Sequence, residues 1–238
     1  MIIAMDGPSG SGKSTVAREV ARRLGALHID SGAIYRALTL AALERGLPLD
    51  DPARLAALAR EVRLELEPTE TGELRVRLDG CDVTDRIRSP EVTRAVSRLA
   101  AVAPVRAQVT ERVRRIAAVA RDAVADGRDT TTVIFPHADL KVYLEASAEE
   151  RARRRARELA RRGRPEPYEQ VLRAIEERDR QDRERAVAPL RIAPDALVID
   201  TTNMTIDEVV DTIVQAARER GATGGRRPVA SAEPVEER

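Results

Sequence analysis

Tryptophan is absent from this 238-residue chain, phenylalanine occurs once, and aromatic residues make up 2% of it. That scarcity argues against a stacking platform for single-stranded nucleic acid. Cys81 is the only cysteine, so no disulfide can form within the chain. A reducing compartment is the natural expectation. The two histidines, His28 and His137, and the lone cysteine show no zinc-binding spacing. No run approaches the ~18 apolar residues that span a bilayer. The apolar N-terminal stretch is too short, and lacks the charged leader, for a signal peptide. A soluble cytoplasmic protein is expected. Charge of one sign is also missing. With 41 basic and 40 acidic residues the net charge is +1, so no global field draws the chain to nucleic acid or to a membrane. No heptad repeat or large apolar stretch argues for self-association, and a monomer is expected.

The scarcity of lysine is the most informative. Lys13 and Lys141 are the only lysines among the 41 basic residues. A chain that strongly favours arginine keeps lysine at position 13, where a narrow anion cradle suits a compact ammonium better than a planar fork. Lys13 closes Gly7-Pro8-Ser9-Gly10-Ser11-Gly12-Lys13-Ser14, which fits the G-x-x-x-x-G-K-[ST] phosphate loop. The motif follows a short apolar strand, Met1 to Met5, ended by Asp6. It precedes Thr15 and a helix whose apolar residues Val16, Val20, Ala21 and Leu24 recur at helical spacing. Backbone N–H groups freed by the glycines form an anion nest, and the helix N-terminus adds partial positive charge. Lys13 is placed to reach the β- and γ-phosphates of a nucleotide, and the Ser14 hydroxyl to bind Mg²⁺.

The length suits one sizeable domain with a small insert. A second strand, Leu27 to Ile29, ends at Asp30-Ser31-Gly32, and a helix follows. In a parallel α/β sheet, ligand groups gather at the carboxyl ends of strands. This places Ser31, Tyr35 and Arg36 at the edge that carries the phosphate loop. A short helix spans Pro52 to Arg60. The period then changes to alternation, with Val62, Leu64 and Leu66, a Thr71-Gly72 turn, Leu74, Val76 and Leu78, and a third short strand at Cys81 to Val83. This is a small antiparallel insert placed to cover a second substrate. Helices follow at Pro90 to Ala101 and Pro104 to Val119; nothing local separates Ser97 and Arg106 on them from ordinary surface residues. Ala123 to Ala125 forms the next core strand and runs into Asp126-Gly127-Arg128-Asp129. Strands Leu140 to Leu144 and Leu197 to Asp200 complete five. His28 reads as a strand residue and His137 as an exposed loop residue.

Ala148 to Arg164 is dense in arginine, including Arg151, Arg153, Arg154 and Arg155, and a second charged helix runs from Tyr168 to about Arg185. Few apolar residues anchor this hairpin, so it can open and close. Most of its arginines pair with Glu149, Glu150 and Glu158 on a solvated face, while one to three are candidates to cover transferring phosphates. Arg178, Asp182 and Arg185 share one helix face. A closing helix spans Thr205 to Arg220, and from Gly221 the composition is that of a disordered tail. The fold class expected is α/β, with a parallel five-stranded sheet flanked by helices, an antiparallel β insert and a helical lid. The core is 1–61 and 85–220, the insert about 62–84, the lid about 148–168 and the tail 221–238.

A phosphate cradle with an arginine-rich hairpin suits transfer of a phosphoryl group to a small acceptor. An acceptor that is itself a phosphate, with a second pKa near ~6, is already a dianion at neutral pH. It needs arginines rather than a general base, which fits a chain with two histidines.

Over nearly everything from Met1 to Arg220 the chain resembles bacterial cytidylate kinases. The matching stretches are Asp6 to Ser14, Asp30-Ser31-Gly32-Ala33-Ile34-Tyr35-Arg36, Asp126-Gly127-Arg128-Asp129, and Arg178 to Leu190. The resemblance implies transfer of the γ-phosphoryl group of ATP to CMP or dCMP, with Mg²⁺. ATP would be held by Gly7, Pro8, Ser9, Gly10, Ser11, Gly12, Lys13, Ser14 and Thr15, with Arg154 from the lid. Ser31, Tyr35, Arg36, Arg128 and Arg185 would surround the phosphate and ring of the monophosphate. Ser97, Arg106 and Asp129 would read cytosine, and Asp182 with Arg178 would hold the ribose. Lys13, Arg128 and Arg185 would carry the catalysis. One departure stands out: Thr130 and Thr131 follow Asp129, where the family has a hydrophobic residue and glycine. If the glycine needs a positive φ, Thr131 is strained there.

Other readings fit less well. A switch GTPase needs an Asn-Lys-x-Asp motif, and Lys141 lies between Leu140 and Val142. A nucleic-acid remodeller needs a strand ending in Asp-Glu, whereas Asp200 precedes Thr201. The closest rival is a small kinase with an alcohol acceptor, using Asp30 or Asp129 as base.

Overall fold

The computed structural model describes residues 1–69, 74–161 and 163–222. The Thr71-Gly72 turn, Arg162 and all of the expected tail beyond Ala222 lie outside the described residues.

Strand β1 (Ile2–Asp6) leads through the phosphate loop into helix α1 (Lys13–Leu24). Strand β2 (Leu27–Asp30) and helix α2 (Ser31–Glu44) follow directly, because the Asp30 side chain accepts from the Ala33 N–H and starts the helix. Helix α3 (Pro52–Glu61) is begun in the same way by Asp51, with proline in the first turn. The insert comprises β3 (Leu64–Pro68), β4 (Leu74–Leu78) and β5 (Cys81–Asp82), paired antiparallel in that order. After a 3-10 turn at Arg86–Arg88 come α4 (Pro90–Ala100) and α5 (Ala103–Ala118). Strand β6 (Ala123–Gly127) is followed by a π-helical turn at Thr130–Ile134 and by β7 (Leu140–Glu145). Helices α6 (Ala148–Arg161) and α7 (Tyr168–Glu184) form the hairpin. Strand β8 (Leu197–Asp200) and α8 (Ile206–Glu219) close the fold. Helix α8 opens with a capping box between Thr205 and Glu208.

The main sheet is parallel throughout, in the order β2-β6-β1-β7-β8. The chain leaves β1 toward one edge and later crosses to the other, so the carboxyl end of β1 is the switch point where an open α/β sheet forms its ligand crevice. Side-chain alternation divides the core. Ile3 and Met5 of β1 and Val124 of β6 pack with Val16, Val20, Val210 and Ile213 of α1 and α8. On the opposite face Ile29, Ala123 and Ala125 pack with α2 to α5. Each fully buried Val, Ile or Leu contributes roughly 1.5–3 kcal/mol. The insert is tied into this second core through Val76 and Leu78, with Leu64, Leu66 and Leu74 against it. The α6–α7 hairpin buries little of its own: Ala152, Val171 and Ile175 form its separate cluster.

Candidate active site

Asp6 ends β1 with its side chain fully buried. Its carboxylate accepts from the N–H groups of Thr130 at 2.8 Å and Thr131 at 2.7 Å, and from the Thr131 hydroxyl at 2.6 Å. Three bonds thus pin the root of the phosphate loop to the turn after β6. At Gly7 a Cβ would lie 2.2 Å from the Leu144 carbonyl oxygen. Gly10 and Gly12 have φ of +77° and +86°, a region that costs other residues energy. Helix α1 starts at Lys13, two residues earlier than the apolar pattern alone indicates, so Lys13 and Ser14 sit in its first turn. Gly12 supplies no capping side chain, which leaves the first-turn N–H groups for an anion. Lys13 is 6% exposed, and Nζ donates to the Pro8 carbonyl at 3.1 Å. Burial, reinforced by the nearby Arg128, pushes its pKa down to about 7.

Beside Lys13, the Ser14 hydroxyl donates to Asp126 Oδ2 at 2.6 Å, and His28 Nε2 lies 2.8 Å from Asp126 Oδ1. Burial alone would raise the Asp126 pKa, but the His28 bond and charge, the charge of Lys13 and the Ser14 bond together outweigh it and hold the carboxyl below its usual range. Burial opposes protonation of His28, and Asp126 reverses that, so the imidazole pKa is raised. A serine hydroxyl beside one carboxylate is an all-oxygen donor set that fits Mg²⁺, which takes one or two protein oxygens and completes its shell with water and phosphate. No cluster of three or more His, Cys, Asp or Glu that would enclose a metal is found among the described residues.

A cleft of about 440 Å³ opens next to the loop. Ser31, Tyr35, Ser97, Arg106, Arg128, Asp129, Arg178, Asp182 and Arg185 all line it. They come from α2, α4, α5, the end of β6 and α7, and their convergence is a tertiary fact. Arg106 pairs with Asp129, and its guanidinium lies 5.3 Å from the centre of the Tyr35 ring. Tyr35 Oη and Arg178 Nε are buried without a hydrogen-bond partner. Arg128 Nε donates to Asp182 Oδ2 at 2.8 Å. Burial would raise the Asp182 pKa, but Arg128, Arg178 and Arg185 overcome it and lower it. Arg178 is pushed down to about 10, first by burial and then by Arg128. Arg36 stands apart from the cleft lining and donates to Thr93 Oγ1 at 3.0 Å. Burial, then the charge of Arg178, pushes its pKa down to about 9. Partly buried arginines held at depressed pKa values constitute a site that gains from an anion. Arg185 lies just past the end of α7, where Nε donates to the Ala188 carbonyl at 2.6 Å. Ala188 has φ of +49° immediately before Pro189, a strained conformation of the kind found at functional sites.

The lid arginines differ in their partners. Arg153 pairs with Glu150, and Arg155 with Glu158. Arg154 also meets Glu150, but its guanidinium donates to the Thr201 carbonyl at 2.6 Å and hydroxyl at 3.1 Å. Arg151, given no role from the sequence, is 4% exposed. It pairs with Asp179 of α7 at 2.6 Å and donates to the Ser9 carbonyl at 3.0 Å. Asp179 in turn accepts from the Ser9 N–H at 3.3 Å. Both helices of the hairpin therefore grip the tip of the phosphate loop.

The concern over Thr131 is answered by geometry. Among the described residues the non-glycine positions with positive φ are Asp79 and Ala188, so Thr131 carries no such strain. Its hydroxyl is used on Asp6. Sequence reasoning also left Asp6, His28, Asp126 and Thr201 without roles. Asp126 lies near the carboxyl end of β6, opposite Asp30 at the end of β2, and that position was the available signal. His28 and Arg151 carried none, because each is defined by a partner on another element.

A glycine-rich phosphate loop at the switch point of a parallel sheet, with a second anion-seeking cleft beside it, defines a P-loop phosphotransferase. The cytidylate kinase family model matches residues 3–219. The chain is 46% identical over 224 residues to a cytidylate kinase of Nocardia farcinica, covering 94% of this chain and 96% of that one. It is 49% identical over 218 residues to one from Symbiobacterium thermophilum, covering 92% and 96%. A bifunctional pantoate ligase/cytidylate kinase of Synechococcus sp. is 50% identical over 222 residues, which are 92% of this chain and 40% of that protein. The chain thus spans less than half the length of that bifunctional relative. It belongs to the cytidylate kinase family.

Proposed function

We propose that this protein transfers the γ-phosphoryl group of ATP to CMP or dCMP, giving ADP and CDP or dCDP. The carrying observation is the cleft itself: the partly buried arginines Arg128, Arg178 and Arg185 converge with the buried Arg106–Asp129 pair beside the loop that presents Lys13. The phosphate loop, Gly7 to Thr15, holds the ATP phosphates through its N–H groups and Lys13, with Arg154 at its flank beside Thr201. Mg²⁺ would be held by Ser14 with Asp126 beside it, and would supply positive charge to offset that of the phosphates.

The monophosphate enters with its phosphate on Arg36, Arg128 and Arg185, near Ser31 and Tyr35. Asp129 and Arg106, with Ser97, form the donor and acceptor edge for cytosine; Asp182 accepts from the ribose hydroxyls, and Arg178 donates beside it. The dianionic acceptor oxygen needs no base. Lys13, Arg128 and Arg185 stabilise the charge spread over the transferring group and bring two anions into line. The insert at about 62–84 closes over the monophosphate and the segment at about 148–168 over the donor, which excludes water from the transfer. An alcohol acceptor is disfavoured, because Asp30 caps α2 and Asp129 is bound to Arg106. The test is ADP formation from Mg-ATP with CMP, dCMP, UMP, AMP, GMP or shikimate. Turnover with CMP and dCMP, weaker with UMP, is expected; turnover with no monophosphate would refute the assignment.

A further inference from the structure

Strands β2 and β6 run parallel with His28 opposite Val124 and Asp30 opposite Asp126. Val124 packs on the α1 face of the sheet and Ile29 on the other, so alternation puts His28 and Asp126 together on the α1 face, as diagonal neighbours. There the ring nitrogen Nε2 meets Asp126 Oδ1 at 2.8 Å, while Oδ2 of the same carboxylate receives the Ser14 hydroxyl at 2.6 Å. The His28 side chain is 14% exposed and the carboxylate 1% exposed, so water has little access to replace either contact. The charges of Asp30 and Arg18 also act on the ring, in opposite directions.

We propose that His28 is a positioning residue for phosphoryl transfer: it fixes the Asp126 carboxylate in the orientation that supports Ser14 at the magnesium–nucleotide site. The inference rests on the kinase reading above. A carboxylate held by Ser14 alone can rotate about its Cβ–Cγ bond and present either oxygen. A donor on Oδ1 removes that freedom and leaves Oδ2 aimed at the first turn of α1. Outer-shell hydrogen bonds of this kind typically alter metal affinity or activity by 10- to 100-fold. His28 itself touches neither nucleotide nor metal.

Two variants separate this role from simple space-filling. His28→Leu keeps bulk and removes the donor, whereas His28→Gln returns an N–H near the position of Nε2. Calorimetric binding of ATP is measured with Mg²⁺ and again in EDTA, alongside kcat and the KM values for ATP and CMP. For His28→Leu, Mg-ATP affinity and kcat/KM for ATP fall by about 10- to 100-fold. Metal-free ATP binding and the KM for CMP stay near wild type, and His28→Gln regains most of the loss. An unchanged magnesium requirement in His28→Leu would overturn the proposal. So would an equal loss of ATP binding with and without the metal, or a His28→Gln variant no better than His28→Leu. Failure of the wild-type protein to phosphorylate any monophosphate would instead refute the kinase reading, whatever the variants do.

Discussion

Lys13 is held at a pKa of about 7 by burial and by Arg128, which ties its charge to the ligand. Its folded value lies below the ordinary lysine value of ~10.5, so between about pH 7 and pH 10.5 the unfolded chain binds more protons than the folded one. This residue's contribution to the stability of the free protein therefore rises with pH across that window. Nucleotide phosphates beside Nζ reverse the effect and return the proton. Calorimetry of ATP binding near pH ~8, in buffers of different ionisation enthalpy, should show uptake of close to one proton, absent in Lys13→Met. Proton release, or uptake retained in the variant, would contradict this account. The phosphate loop and this lysine were legible in the sequence because the motif is contiguous and its chemistry is local. The depressed pKa was not, because it depends first on burial and then on Arg128, which arrives from just past the end of β6. At Thr131 the substitution Thr131→Val removes a hydroxyl bond to a buried carboxylate that keeps two backbone donors. It should cost about 1.5–3 kcal/mol in denaturant unfolding with little change in the KM for CMP.

Helix α7 serves two sites through adjacent residues. Asp179 holds the Ser9 N–H and Arg151, whereas Arg178 and Asp182 line the acceptor cleft. Asp179→Ala leaves Arg151 buried without its partner, which should destabilise the protein by about 3–5 kcal/mol. It should also raise the KM for ATP more than that for CMP. An equal rise in both would show that the grip on the loop has no special bearing on the donor. The helical spacing of Arg178, Asp182 and Arg185 identified a shared face from sequence, even though α7 ends at Glu184. The Arg151–Asp179 pair was not legible. Arg151 sits in an arginine-rich run whose other members pair locally, and only the docking of two helices selects it. Element boundaries were readable wherever a cap or proline marked them, as at Asp51-Pro52 and Ser89-Pro90.

At the scale of the molecule, alternating apolar strands and amphipathic helices were enough to indicate a parallel sheet with an antiparallel insert. Strand order was not contained in periodicity; it follows from which faces bury which helices, and it makes the carboxyl end of β1 the crevice. Two clusters of depressed-pKa arginine and lysine meet there, around Lys13 and around Arg36 and Arg178. Bound anions relieve both, so CMP and ATP together should raise the thermal midpoint more than either does alone, read by differential scanning calorimetry. A stabilisation no greater than that of the better single ligand would argue against adjacent sites. The central claim is that one phosphoryl group passes between them onto a phosphate. Its most direct measurement is the fate of label from ATP carrying a radioactive γ-phosphorus, incubated with the protein, Mg²⁺ and CMP. The account predicts CDP labelled in its β-phosphate, formed in equal amount with ADP and lost in Lys13→Met. Label released as inorganic phosphate at a rate indifferent to CMP would contradict it.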